Sequence, residues 1–177
     1  DAAERVMETA VFTFDHIDIL INSAAIFPEE DTFSDTDPDL WDQIMNINLR
    51  APFLLSQHFV AQLPTDTPGK IINILDPRSR HPATDHFVYR FAKGSLGQMT
   101  EMLALELAPQ IAVNGVALGA ILPPPGKDDS YLENIAQERI PLQRAGSAEI
   151  VAENVLHLLR QDFLTGVIIP LDGGEFL

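Results

Sequence analysis

The chain has 177 residues, no cysteine and a formal net charge of −15 at pH 7. This length predicts a single domain over residues 1–177, and the lack of cysteine excludes disulfides and thiolate metal sites. The acidic balance argues against nucleic acid or an anionic membrane as a partner. No apolar run approaches the length of a membrane span and no secretory signal is recognised, so we expect a cytoplasmic protein.

Four short, mostly apolar segments predict the strands of a parallel sheet. In chain order they are residues 16–21, 70–75, 111–118 and 167–171. Near-continuous apolar strands are typical of parallel sheets that are covered on both faces. Because helical stretches alternate with them, we expect an α/β protein with right-handed crossovers and a Rossmann-like, doubly wound sheet. In such sheets ligands bind at the carboxyl ends of the strands.

Helices are predicted between these strands. Residues 1–14 read as a helix, and Asp37 before Pro38 predicts the start of a second helix that extends to residue 63. Apolar residues at helical spacing predict two more helices, over 86–108 and 148–159. The segment 122–144 contains three consecutive prolines and is longer than a usual connection, so we expect it to form a substrate-side loop or lid.

One pair of residues has a spacing that suits proton chemistry. Tyr89 and Lys93 are four residues apart on a predicted helix, so both side chains lie on one face. An ammonium beside a phenol lowers the pKa of the tyrosine toward that of a working general acid. Asp76 lies thirteen residues before Tyr89, at the end of an apolar strand, where it could exchange a proton with a ligand. An unreactive Tyr-Lys pair and an ordinary Asp-Pro turn are the alternatives.

Six segments resemble, in order and spacing, motifs of the short-chain dehydrogenase/reductases. They are DILINSAA (18–25), MNINLRAPFLLSQ (45–57), GKIINILD (69–76), YRFAKGSL (89–96), LALELAPQIAVNGVALGAI (103–121) and TGVIIPLDGGEFL (165–177). The resemblance implies that Tyr89 protonates the atom left behind by hydride transfer. It further implies that Lys93 lowers the pKa of Tyr89 and holds the nicotinamide ribose.

The same resemblance implies roles for five further residues. Asn48 is expected to anchor a water on the proton path. Asn22 and Ala24 lie in the segment that matches the family's Asn-Asn-Ala-Gly stretch, and they are expected to border the cofactor together with Gly119 and Ala120, Tyr89 and Lys93. The sequence shows no spacing typical of a metal site, and the acidic run 29–39 is interpreted as a solvated cap before a helix.

Two residues indicate one branch of the family. Most members have serine at the place of Asp76, whereas aspartate there is typical of pteridine reductases and of the related dihydromonapterin or dihydrofolate reductases. Phe27 matches a phenylalanine that stacks a pterin against the nicotinamide, although a core aromatic is the alternative. The resemblance implies NADPH-dependent (or NADH-dependent) reduction of a pteridine or dihydropteridine ring, bound by Phe27, Asp76 and Tyr89. A carbonyl reductase for ketones or quinones and a non-catalytic scaffold are the other hypotheses.

Part of the family pattern is missing from the sequence. No G-x-G-x-x-G-like turn occurs. The resemblance implies that the first β-α-β-α-β part of the fold, on the order of 60 residues, is absent, so we expect an incomplete sheet. That part carries the phosphate-binding glycines and the residues that choose between NADH and NADPH. The predicted helices 38–63 and 86–108 resemble helices that pack between subunits in this family, which implies a homodimer or homotetramer.

Overall fold

The computed structural model describes residues 2–28, 31–124 and 126–177. Asp1, Glu29, Glu30 and Pro125 lie outside the described residues; they belong to the predicted first helix, the acidic run and the segment 122–144. The strands are β1 (Ile19–Asn22), β2 (Gly69–Leu75), β3 (Ile111–Leu118) and β4 (Ile168–Leu171). The helices are α1 (Ala2–Phe14), α2 (Pro38–Met45), α3 (Ala51–Gln62), α4 (Phe87–Glu106), α5 (Asp129–Arg139) and α6 (Ala148–Arg160).

The four strands form one parallel sheet in the order β1-β2-β3-β4, which confirms the predicted α/β class. Asn22 at the end of β1 pairs with Asn73 in β2, and Leu75 at the end of β2 pairs with Ala117 near the end of β3. The carboxyl ends of these strands therefore lie side by side. Asp76 and Gly119 follow directly, at the edge of the sheet where a ligand site is expected.

Helices cover the two faces of the sheet unequally. Ile71 and Val113 pack against α1, α3 and α4 in a cluster with Met7, Phe59, Leu63, Ala104 and Ile111. Ile72 and Val116 face the other way and pack against Val155 and Leu158 of α6. Helices on both faces confirm the doubly wound arrangement. On β1, however, Ile19 and Ile21 are 45% and 44% exposed, which agrees with the expected incomplete sheet, since β1 lies at its edge.

The crossovers do not all have the same hand. The strand order advances in one direction, but α3 and α4 lie on one face of the sheet and α6 lies on the other. A crossover that advances in the same direction over the opposite face has the opposite hand. The prediction of right-handed crossovers throughout is therefore wrong for at least one connection. The chain between β3 and β4 contains two helices, so it is long enough to reach the second face before α6 begins.

The predicted helices form, with two differences. Asp37 caps α2 by accepting a 2.7 Å hydrogen bond from the Leu40 N–H, and Pro38 opens the helix as predicted. A π-helical turn (Asn46–Arg50) interrupts the helix predicted over 38–63. The segment 122–144 contains α5, a helix that the sequence analysis did not predict. None of the described helices is long and apolar enough to cross a membrane.

Candidate active site

The phenol of Tyr89 meets the carboxylate of Asp76 at the carboxyl edge of the sheet. Asp76 follows the last residue of β2, and Tyr89 is the third residue of α4. The Tyr89 O–H donates to Asp76 Oδ2 at 3.1 Å, and both residues are 7% exposed. The two residues thus form a buried pair in which one group holds a proton and the other accepts its hydrogen bond.

Arg78 fixes the other oxygen of Asp76. Asp76 Oδ1 accepts hydrogen bonds from the Arg78 backbone N–H at 2.9 Å and from its Nε at 3.1 Å. The first of these bonds caps a 3₁₀ turn (Pro77–Arg80), so the Asp-Pro turn in the sequence is real. Because the turn uses only Oδ1, it leaves Oδ2 for Tyr89. The turn and the contact with Tyr89 are therefore compatible.

Lys93 does not lower the pKa of Tyr89 in the described structure. Burial raises the pKa of Tyr89 well above its usual value, and the charge and hydrogen bond of Asp76 raise it further. Lys93 Nζ donates instead to the backbone carbonyl of Ile74 at 2.8 Å. Burial lowers the pKa of Lys93 to about 8, although the charge of Asp76 opposes this shift. The predicted net lowering of the tyrosine pKa is therefore wrong, because burial and the carboxylate of Asp76 act in the opposite direction.

We call Asp76, Arg78, Tyr89 and Lys93 the ionic cluster. Phe27 borders it, with its ring centroid 4.7 Å from that of Tyr89 in an edge-to-face arrangement. The Arg78 guanidinium lies 5.2 Å from the Phe27 ring centroid, within cation–π range. Phe27 is 49% exposed, which argues against the alternative that it is a core aromatic. A flat ligand could therefore reach this ring beside the phenol.

Asn48 lies just outside the ionic cluster and holds the chain next to Phe27. It is fully buried; its Oδ1 accepts from the Ile26 N–H and its Nδ2 donates to the Ile26 carbonyl, both at 2.8 Å. Both halves of the side-chain amide are therefore bonded to protein. The predicted role of Asn48 in anchoring a water stays a prediction.

Asn22 belongs to a different group, which we call the amide cluster: Asn22, Ser56, Asn73 and Thr100. Asn22 Nδ2 donates to Asn73 Oδ1 at 2.8 Å and, more weakly, to Ser56 Oγ at 3.4 Å. Asn73 Nδ2 donates in turn to Thr100 Oγ1 at 2.9 Å. The side chain of Asn22 is thus part of a buried, uncharged network. The structure does not bring it together with Tyr89 and Lys93.

The other predicted cofactor residues lie in loops at the ends of strands. Ala24 is exposed in the loop after β1. Gly119 and Ala120 follow β3, where the Gly119 N–H donates to Leu171 and the Ala120 carbonyl accepts from Gly146. A Cβ on Gly119 would lie 2.7 Å from the Cα of Asp172, so this position requires glycine. Their contact with a cofactor stays a prediction.

Three residues border the site without having been predicted there. His86 and Glu175 had no predicted role, and Asp31 was predicted to belong to a solvated cap, which is wrong because it is only 2% exposed. His86 precedes α4 with φ 49°, and its ring centroid is 4.4 Å from that of Phe27. Glu175 lies near Gly119; burial raises its pKa, Arg78 and Arg139 oppose the shift, and Asp76 and Asp172 add to it. Asp31 contacts the start of α4. All three depend on contacts distant in sequence, for which the sequence carries no signal.

No metal site is found: among residues 2–28, 31–124 and 126–177, no group of three or more His, Cys, Asp or Glu side chains could hold a metal ion. The ionic cluster can hold and donate a proton beside an accessible aromatic ring. A cavity of about 300 Å³ reaches this cluster and is lined in part by Asp76 and Lys93.

Known proteins resemble the chain over nearly its whole length. The model of the family described as Enoyl-(Acyl carrier protein) reductase matches residues 1–175. L-xylulose reductase of Mus musculus is 34% identical over 175 residues, which cover 94% of this chain and 71% of that protein. A granaticin polyketide synthase putative ketoacyl reductase 2 of Streptomyces violaceoruber is 30% identical, covering 99% of this chain and 72% of that protein.

A solved structure resembles the fold as well. FolM alternative dihydrofolate reductase 1 from Brucella suis, in complex with NADP, matches with a TM-score of 0.92 at 31% identity, over 98% of this chain and 70% of that chain. The sequence matches, the parallel sheet and the Tyr89-Asp76 pair at its edge agree with one another. The chain therefore belongs to the short-chain dehydrogenase/reductase family of oxidoreductases.

Proposed function

We propose that the protein uses NADPH to reduce a C=N bond in a pteridine or dihydropteridine ring. The hydrogen bond between Tyr89 and Asp76, beside the exposed ring of Phe27, is the observation that carries this proposal. It combines a proton donor, a carboxylate and an aromatic surface in one place. The similarity to FolM of Brucella suis, whose structure contains NADP, supports both the cofactor and the substrate class.

Lys93 fits the cofactor by its chemistry. Its ammonium has three N–H donors, and the carbonyl of Ile74 accepts one of them at 2.8 Å. The other donors suit the neighbouring hydroxyls of a ribose. Gly119 and Ala120 would border the nicotinamide, and Asn22 and Ala24 would approach the cofactor through their backbone. When bound, NADPH supplies the hydride.

Tyr89 holds the proton that completes the reaction. Its raised pKa keeps the phenol neutral at physiological pH. Addition of hydride to the carbon of a C=N bond leaves an electron pair on the nitrogen, which takes the phenolic proton. Asp76 holds the phenol in place with Oδ2 and would accept a hydrogen bond from an amino group of the ring.

Asn48 is proposed to hold the water that returns the proton. Its side chain is hydrogen-bonded to Ile26, so its backbone carbonyl is the group that would accept a hydrogen bond from this water. In an α-helix that carbonyl accepts from the N–H four residues later, but Pro52 has none. The π-helical turn at Asn46–Arg50 lies at this point, and such turns are frequent at functional sites.

Three broader features complete the proposal. Segment 122–144 would act as a lid on the substrate side, since the N–H of Leu142 donates to the carbonyl of Gly173, next to the site. The protein would form a homodimer or homotetramer in the cytoplasm. Large apolar residues exposed on α3 and α4 support contact between subunits: Phe53, Phe91, Met102 and Leu105.

The first test is binding and turnover. We expect NADPH to change its fluorescence on binding, and dihydrobiopterin or dihydrofolate to be reduced. Phe27→Leu should raise the KM of the pterin about 3- to 10-fold, because stacking contributes about 0.5–1.5 kcal/mol, and should leave the NADPH Kd unchanged. Phe163→Leu is the control, since Phe163 is fully exposed in the loop before β4. Equal effects of the two variants would contradict stacking on Phe27.

A second variant separates this function from carbonyl reduction, which the similarity to L-xylulose reductase favours as the alternative. Asp76→Ser introduces the residue that most family members have at this place. If the substrate is a pterin, the variant should lose turnover of dihydropterins. If the substrate is a ketone, the variant should keep turnover of L-xylulose and the wild type should not reduce pterins. That second pattern would replace the pterin proposal.

A further inference from the structure

Helix α4 begins without a cap from its own sequence. Its N-cap residue, His86, has φ 49° and ψ 50°, and its side chain makes no capping hydrogen bond. No acidic residue occurs in the first turn. The first N–H groups of a helix nevertheless need acceptors, and the first turn of α4 carries Tyr89. The position of the proton donor therefore depends on groups from elsewhere in the chain.

Asp31 supplies the missing acceptors. Its Oδ2 accepts from the Val88 N–H at 2.9 Å and from the Tyr89 N–H at 3.4 Å. Its backbone carbonyl accepts from the Phe87 N–H at 3.2 Å. Asp31 is 2% exposed, so this is a buried carboxylate at the positive end of a helix dipole, where negative charge is stabilised. A single residue thus serves the first three N–H groups of α4.

The loop that carries Asp31 also carries the aromatic side of the site. Phe27 contacts Tyr89 and His86, with ring centroids 4.7 Å and 4.4 Å apart. Phe33 contacts Phe87, with centroids 5.4 Å apart. Residues on both sides of Asp31 therefore pack on the same turn of α4. Displacement of this loop would move Tyr89 relative to Asp76.

We infer that Asp31 is a positioning residue, which caps the helix of the proton donor and sets where the Tyr89 phenol stands relative to Asp76. It connects the loop that bears Phe27 to the group that gives the proton. Its effect on turnover rests on the proposed function, whereas its effect on the position of Tyr89 does not. The two can therefore be measured separately.

The test compares Asp31→Ala, Asp31→Asn and Asp37→Ala by NMR of the Tyr89 ring, labelled with ¹³C at Cζ and assigned by its loss in Tyr89→Phe. Asp31→Ala should shift or broaden the Tyr89 signal. Asp31→Asn keeps an oxygen that can accept and should restore it, since asparagine caps as well as aspartate. Asp37→Ala removes a similar cap from α2 and should leave the signal unchanged.

Kinetics gives a second readout if the protein turns over a pterin or a ketone. Asp31→Ala should lower kcat about 10- to 100-fold, the loss typical of a misplaced catalytic group, with the KM of NADPH unchanged and kcat recovered in Asp31→Asn. If Asp31→Ala does not fold, Asp31→Leu takes its place, because leucine is close to aspartate in size but accepts no hydrogen bond. An unchanged Tyr89 signal, or an equal shift in Asp37→Ala, would overturn the inference. Absence of turnover would overturn only the proposed function, because the NMR comparison needs no substrate.

Discussion

The amide cluster and the ionic cluster share two elements, but they differ in charge. Strand β2 contributes Asn73 to the first and leads directly into Asp76 of the second, and helix α4 contributes Thr100 to the first and Tyr89 and Lys93 to the second. Asn73 and Thr100 are completely buried and bonded to each other. The ionic residues lie where the strand ends, beside an accessible ring.

This difference indicates which positions along the strand can take part in acid–base chemistry. In the amide cluster, uncharged side chains bond one another, although Asn22 Oδ1 is buried without a partner among the described residues, and their protonation does not change with pH. At the strand end, burial acts on groups that can ionise, and it shifts the pKa of Tyr89 upward and that of Lys93 downward. We therefore expect the ionic cluster to serve turnover at some expense of stability, and the amide cluster to serve stability alone.

The largest expected effect comes from removing the proton donor. Tyr89→Phe keeps the ring beside Phe27 but removes the O–H, so turnover should fall about 10²- to 10⁴-fold, the usual contribution of a general acid. Steady-state kinetics with NADPH and the substrate identified in the turnover test would measure the loss of activity. The control is Tyr131→Phe in α5, which changes the other tyrosine of the chain. If both variants turned over like the wild type, the ionic cluster would have no catalytic role.

The second effect concerns stability. A lysine whose pKa falls from 10.5 to about 8 on folding destabilises the folded chain by about 3 kcal/mol while it is protonated in both states. Lys93→Met removes this penalty, so the variant should be more stable than the wild type at pH 7 by up to about 3 kcal/mol, although it should lose turnover. Urea unfolding would measure the free energy of unfolding.

The pH dependence of this effect has the opposite sign to that of a lysine whose pKa is raised by a partner in the folded state. Below pH 8 both folded and unfolded chains bind the proton on Lys93, so the penalty is complete. Between about pH 8 and 10.5 the unfolded chain binds more protons, so the wild type gains stability as pH rises and the difference from Lys93→Met shrinks. Lys127→Met is the control, since Lys127 is exposed and should change stability by less than about 0.5 kcal/mol. A less stable Lys93→Met at pH 7 would contradict the prediction.

Local pattern was sufficient for most of the fold. The strands could be predicted because each is a short apolar run, and the start of α2 because Asp37 and Pro38 form a local signal. Helix α5 was missed because its segment is dominated by prolines and charges. Ala136 in the helix and Ile140 directly after it are buried and four positions apart, and they were the available signal. The hand of the last crossover depends on which face α6 covers, which no local pattern specifies.

The candidate site, too, has features that could be predicted from the local sequence and features that could not. Asp76 and Tyr89 could be expected to meet because a strand end and a helix start converge at the edge of a parallel sheet. The orientation of the Lys93 side chain could not be predicted, because its partner is a backbone carbonyl, a group that every residue has. The cap provided by Asp31 joins residues 57 and 58 positions apart. Such contacts arise only when the loops have been placed by the folded core.

The smallest expected effect tests the amide cluster. Asn73→Ala removes the acceptor of Asn22 and the donor to Thr100, and should lower the free energy of unfolding by about 1–3 kcal/mol, because buried polar groups lose their partners. Turnover per folded molecule should not change, since no group of the ionic cluster is altered. The control is Asn46→Ala, at an exposed asparagine whose side chain accepts a hydrogen bond from Arg50, which should change stability by less than about 0.5 kcal/mol. Urea unfolding midpoints and kcat would be measured on the same samples. A fall in kcat without loss of stability would mean that the amide cluster takes part in catalysis, and the distinction between the two clusters would be wrong.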